Sequence, residues 1–133
     1  MVKERVLSLR ILVVDDEEYI QNIIRDFLKV LGHEVSTASD GIEAVRAYRE
    51  ALESSQPFDA VIMDFIMPEM NGKDATQAIL KIDPEARVII CSGYTDDSTM
   101  ADFGDHGFKA VLPKPFYVKD VEKALGELFQ EEE

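Results

Sequence analysis

The side chains with chemistry to offer are Asp15 and Asp16, Asp64, Ser92 and Lys114, each placed just after a short apolar run or the proline that ends one. Three carboxylates brought to one place repel one another unless a cation or a proton intervenes. A hard cation suits them. Magnesium (Mg²⁺) accepts one or two carboxylates in octahedral geometry and keeps waters for a phosphate oxygen, and no Cys or His stands beside these acids to favour a softer metal. One of the acids could then act as a nucleophile toward phosphorus, since carboxylates form acyl phosphates. Ser92 and Lys114 could supply a hydrogen bond and a positive charge to the oxygens of a transferred phosphoryl group.

Five strand-and-helix pairs must position these groups. Apolar runs alternate with helical periods along the whole chain, which predicts a parallel sheet with helices on both faces. The first strand runs from Leu9 to Val14, and Ile20, Ile23, Ile24, Phe27, Leu28 and Leu31 mark one face of the helix after it, stopped by Gly32. His33 to Ala38 forms the second strand, and Asp40 caps a helix lined by Ile42, Val45, Tyr48 and Leu52. Asp59 to Met63 is the third strand, bounded by Asp64. Phe65 to Gly72, with Pro68 and Asn71-Gly72, reads as a loop. A helix with Ala75, Ala78, Ile79 and Ile82 inward ends at Asp83-Pro84, and Arg87 to Cys91 is the fourth strand. A weakly apolar helix is expected from Asp96 to Asp105, a fifth strand from Lys109 to Leu112, and a terminal helix on Val118, Val121, Leu125, Leu128 and Phe129. In an open parallel sheet of order 2-1-3-4-5 the functional crevice lies at the carboxyl ends of the strands, where all five chemical groups fall.

Each group also has a plainer explanation. Asp-Asp after a strand is commonly a helix N-cap with a favourable dipole contact, and Asp64 could merely cap a turn. Ser92 is more often a turn residue than a ligand, and Lys114 between two prolines could be a solvated side chain. Only together do they point to a metal and a phosphoryl group. Cys91, at the end of an apolar strand, reads as a small buried hydrophobe. Met63, Met67 and Met70 read as packing and loop residues.

The 133 residues amount to about one domain, residues 1–133, with 1–8 as an extension or linker and 130–133 as an acidic tail. The chain holds 14 Lys and Arg against 27 Asp and Glu, a net charge of −13, which opposes binding to nucleic acid or to an anionic membrane. Its strand-like apolar runs fall far short of the ~20 residues a membrane span needs. A single cysteine excludes an internal disulfide, and no secretory signal precedes the first strand, so a reducing cytoplasm is the expected compartment.

Val13-Val-Asp-Asp16, Met63-Asp-Phe-Ile-Met-Pro-Glu-Met-Asn-Gly72, Cys91-Ser-Gly93 and Pro113-Lys-Pro-Phe116 together resemble the motifs of the bacterial response-regulator receiver domain, in order and over Leu9 to Phe129. The resemblance implies a flavodoxin-like, doubly wound sheet of order 2-1-3-4-5 with five helices on two faces. It implies a signalling switch in two-component systems rather than an enzyme acting on other substrates. Asp64 would be the phosphoacceptor, Asp15, Asp16 and Asp64 the Mg²⁺ ligands together with the backbone carbonyl of Ile66, Ser92 the hydroxyl that moves toward the phosphoryl group, and Lys114 its ion-pair partner. The implied partners are a histidine kinase or phosphotransfer protein and a downstream protein or output domain. The latter would be met through the fourth predicted helix, the fifth strand and the fifth helix. The stretch from Cys91 to Phe116 looks more like receivers of hybrid sensor kinases than like stand-alone chemotaxis receivers. One departure is Val111, at a strand-five site that is often aromatic in the family and acts there as a rotamer switch.

Three other readings fit less well. A phosphatase resembling the haloacid dehalogenases needs a second Asp two residues after the first, where this chain has Ile66. A nucleotide-binding flavodoxin relative wants a Gly/Ser/Thr-rich first loop, not Asp15-Asp-Glu-Glu18. A degenerate interaction module that is never phosphorylated would have no need of the full acid, hydroxyl and lysine set.

Overall fold

Short runs rich in Val and Ile make the strands, and the helical periods between them make the crossovers. The computed structural model of the chain describes residues 8–67, 69–92, 107–113 and 117–130. The elements are β1 (Arg10–Val14), α1 (Glu18–Val30), β2 (Glu34–Ala38), α2 (Gly41–Glu53), β3 (Ala60–Asp64), α3 (Gly72–Ile82), β4 (Val88–Ser92), β5 (Ala110–Pro113) and α4 (Val118–Gln130). The strands form one parallel sheet in the order β2-β1-β3-β4-β5, as expected. Four helices stand among the described residues rather than five. The segment 96–105, expected as a helix, lies outside them, so α4 is the fifth helix of the sequence reading.

Because successive strand residues face opposite sides, the sheet feeds two apolar layers. Leu12, Val14, Val61, Met63, Val88 and Ile90 pack with Ala44 and Tyr48 of α2 and Ala75 and Ile79 of α3. On the other face Ile11, Val13, Ile62, Ile89 and Cys91 meet Ile24 and Leu28 of α1 and Val121, Leu125 and Leu128 of α4. Cys91 is buried in this second layer, as its position at a strand end suggested.

The helix ends follow the sequence closely. Gly32 takes φ +98°, and the bonds from Gly32 N–H to the Lys29 carbonyl and from His33 N–H to the Leu28 carbonyl close α1 in the left-handed turn that glycine allows. Asp40 caps α2 by accepting from Glu43 N–H at 2.8 Å, while the Glu43 carboxylate accepts from Ser39 N–H at 2.8 Å, a reciprocal pair much like a capping box. Asn71 accepts from Asp74 N–H at 2.8 Å and caps α3, so Asn71-Gly72 is the start of a helix and not the end of a loop. Tyr48 of α2 donates to the Asp83 carboxylate at 2.7 Å and ties α2 to the far end of α3; burial, and then this bond, hold its phenol above the ordinary range.

Two expected inward residues turn out to face solvent. Ile23 is 51 % exposed and Ile42 is 45 % exposed, whereas Gln21 and Thr76 are buried. The buried stripe of α1 runs through Gln21, Ile24 and Leu28, the same spacing one position over. On α2 the expected Tyr48 is buried, and the other fully buried positions are Ala44, which joins the layer under the helix, and Gly41, which lies against Met70.

Candidate functional site

The sheet register brings the acids together. Val14 pairs with Met63, so the next residues, Asp15 and Asp64, come to the carboxyl edge side by side. Asp64 is itself the last residue of β3, paired with Cys91, rather than the first residue beyond the strand. Ser92 ends β4 opposite Pro113, the last residue of β5. Lys114 follows directly but lies outside the described residues, and of Ser92 only the backbone position is described.

One carboxylate oxygen from each of Asp15, Asp16 and Asp64 lies within 4.8 Å of the others, with Asp15 and Asp64 buried and Asp16 exposed. Two oxygens bound to one Mg²⁺ at ~2.1 Å are at most about 4.2 Å apart, so this donor set fits after drawing in by several tenths of an ångström, or with one acid bonded through water. All three donors are hard oxygens, the type that ion takes. The mixed burial is also apt: two acids form the floor and the third stands at the mouth.

Local bonds hold the floor. The Asp15 side chain accepts from Glu17 N–H at 2.9 Å and turns the chain from β1 into α1. Asp15 N–H donates to the Ala38 carbonyl at 3.1 Å, extending the β1–β2 ladder by one residue. Beyond Asp64, Phe65 N–H donates to the Cys91 carbonyl and Gly72 N–H to the Phe65 carbonyl, both at 2.8 Å. Met67 is buried in the layer under α2 and α3, and Met70 packs beside it, so the loop is anchored from below. Ile66, between these anchors, is 53 % exposed and stands outward at the rim. Val111 is half-buried against the same layer as Met67.

Sequence reasoning missed three residues here. Gln21 is buried and its amide meets the carbonyls of Asp15 and Ala38. Gly72 touches the backbone of Asp64, and Gly41 the backbone of Met70. A signal for Gln21 existed: Gln21, Ile24 and Leu28 have helical spacing once a polar residue is admitted to the inner stripe. Gly72 was read only as the end of the loop after Asp64, and nothing in the sequence singled out Gly41.

Comparison with known proteins agrees with this architecture. The family model described as "Response regulator receiver domain" matches residues 11–126. The chemotaxis protein CheY of Thermotoga maritima is 38% identical over 123 residues, covering 92% of this chain and 98% of that protein. The crystal structure of a CheX–CheY–BeF3–Mg complex from Borrelia burgdorferi aligns with a TM-score of 0.84 at 28% identity, covering 91% of this chain and 89% of the other. The receiver domain of a sensor histidine kinase from Pseudomonas aeruginosa, with a magnesium ion coordinated in its active-site cleft, aligns with a TM-score of 0.81 at 26% identity, covering 93% and 99%. With the sheet order, the acid cluster and these relatives in agreement, the chain belongs to the response regulator receiver domains, the phosphorylation-controlled switches of two-component signalling.

Proposed function

We propose that Asp64 accepts the phosphoryl group, from a histidine kinase or a phosphotransfer protein, and that Asp15, Asp16, Asp64 and the backbone carbonyl of Ile66 hold Mg²⁺ beside it. The observation that carries this is the convergence of three carboxylate oxygens within 4.8 Å at the carboxyl edge of the sheet. A bound Mg²⁺ would neutralise the acids and the phosphoryl oxygens, letting an anionic nucleophile approach an anionic donor. The free carboxylate oxygen of Asp64 attacks phosphorus in line, the bond to the donor histidine nitrogen breaks, and its electron pair stays on that nitrogen. Ser92 and Lys114 then serve the product, the hydroxyl by a hydrogen bond and the ammonium by charge. The loss of negative charge at Asp64 and the pull on Ser92 and Lys114 shift the surface that includes β5 and α4, to which a downstream protein or output domain responds.

The chain acts as one receiver unit that catalyses only its own phosphorylation and dephosphorylation. Its net charge of −13 disfavours nucleic acid as a direct target. Among the described residues no helix is long and apolar enough to cross a membrane. We place its work in the cytoplasm, where such kinases present their phosphohistidine.

The test is labelling with a small acyl phosphate, read by intact mass spectrometry with peptide mapping. The protein should gain one phosphoryl group in the presence of Mg²⁺ and none in EDTA, with the label on Asp64 and absent from Asp64→Asn. Equal labelling of Asp64→Asn would refute the assignment.

A further inference from the structure

We infer that Gln21 is a positioning residue for the metal site, setting the angle at which Asp15 and Asp16 present their carboxylates. The inference rests on taking those acids as Mg²⁺ ligands and adds a residue that touches neither the ion nor the phosphoryl group. Gln21 is 6% exposed, in the first turns of α1, on the inner stripe shared with Ile24 and Leu28. Its side-chain nitrogen lies 2.6 Å from the Asp15 carbonyl oxygen, 3.2 Å from the Ala38 carbonyl oxygen and 3.3 Å from the Ser39 hydroxyl. Two of these partners only accept, so the nitrogen and not the oxygen of the amide must face them. With two hydrogens available, one goes to Asp15 and the other is shared between the end of β2 and Ser39.

The bond to Asp15 matters because of which peptide it holds. The Asp15 carbonyl belongs to the peptide that joins Asp15 to Asp16, and that unit is planar. Fixing its oxygen fixes the plane, and with it the relative directions of the two side chains that flank it. The ladder cannot do this. Asp15 N–H bonds to Ala38, but Asp15 lies past the last residue of β1, and Gln21 takes up its carbonyl instead. The second hydrogen, on the Ala38 carbonyl and Ser39, refers the same plane to the end of β2. Two strand ends and the first turns of α1 are thereby pinned together directly behind the acids. Without the amide the peptide loses the bond at its carbonyl, and a set of oxygens within 4.8 Å of one another would be drawn in from a wider spread of geometries. Groups that orient metal ligands from behind are commonly worth 10- to 100-fold in metal affinity, roughly.

The measurement is the Mg²⁺ dissociation constant of the whole chain, read from the amide NMR shifts of residues 15–18 during titration, alongside thermal stability in EDTA. Gln21→Met keeps shape and removes the donors; it should weaken Mg²⁺ binding about tenfold. Leu28→Ala, a fully buried change on the same helix whose apolar cluster includes neither Val14 nor Ala38, should lower stability at least as much and leave the affinity where it was. Gln21→Asn keeps the amide but withdraws it by one methylene, carries the same expectation, and serves if the methionine variant does not fold. An affinity for Gln21→Met within about twofold of the parent, or an equal loss in Leu28→Ala, would overturn the role of Gln21 alone. Failure of the parent itself to bind Mg²⁺ would overturn the metal site and this inference together.

Discussion

A Cβ placed on Gly72 would lie 2.3 Å from the carbonyl oxygen of Asp64 and 2.9 Å from Cα of Phe65, so the first residue of α3 rests directly on the backbone of the proposed phosphoacceptor. Both atoms are main chain and cannot swing aside. Gly72→Ala should therefore push α3 away from the end of β3, at an overpacking cost of about 1–3 kcal/mol. Chemical denaturation measures the loss, and the phosphorylation rate of the variant should fall with it. A variant as stable and as quickly labelled as the parent would show that the contact relaxes without consequence.

Mg²⁺ should stabilise the folded chain, because an ion bound only where the three acids converge favours the folded state by mass action. With free Mg²⁺ at ten times its dissociation constant the gain is about 1.4 kcal/mol. Asp16→Ala removes the exposed ligand at the mouth while sparing the buried floor, and its melting curve should no longer respond to Mg²⁺. An unchanged response in Asp16→Ala would remove that residue from the ligand set.

The lifetime of the phosphorylated state should depend on Ile66. Its side chain is 53% exposed, two residues past Asp64, and offers neither carboxylate nor amide to orient an attacking water. Ile66→Asn supplies such a group, and positioning of this kind is worth on the order of 1 kcal/mol in the barrier, or roughly fivefold faster loss of phosphate. The decay is followed after the donor is removed. Equal or slower decay in Ile66→Asn would place control of the lifetime elsewhere.

Acid should weaken the amino end of the sheet through His33. Its Nδ1 accepts from Leu9 N–H at 3.1 Å, and burial holds the imidazole below its ordinary value. The fold thus favours the neutral ring, while the unfolded chain takes up a proton near pH 6.5. This contribution to stability is fully present above that pH and is lost as the pH falls below it toward the folded value. His33→Asn keeps an acceptor that does not titrate in this range. The stability of parent minus variant should therefore be constant from pH 7 to 8 and decline from about pH 6.5 downward. A flat difference down to pH 5 would mean that the ring keeps its acceptor role when charged.

The strands, most of the helices and the place of every acid were legible in the sequence, because a parallel sheet with two covered faces demands apolar runs and helical periods of fixed length. Gly32, Asp40 and Cys91 were likewise readable, since a left-handed helix end, an N-cap and a buried small hydrophobe are local matters. Which residues share a cleft was not local. The pairing of Val14 with Met63 is what sets Asp15 beside Asp64, and a shift by one residue would send one of them to the opposite face of the sheet. The exchange of Ile23 for Gln21 on the inner face of α1 was not decided by the apolar pattern, for a related reason. Hydrophobic period locates a stripe to within about one position, and the tie goes to whichever residue meets what the neighbouring elements leave unsatisfied. Here that was the carbonyl of Asp15, which the amide of Gln21 answers and an alkyl side chain cannot. Gly72 shows the same limit: its lack of a side chain matters because α3 starts against the end of β3, and that distance exists only once the sheet and helices have packed.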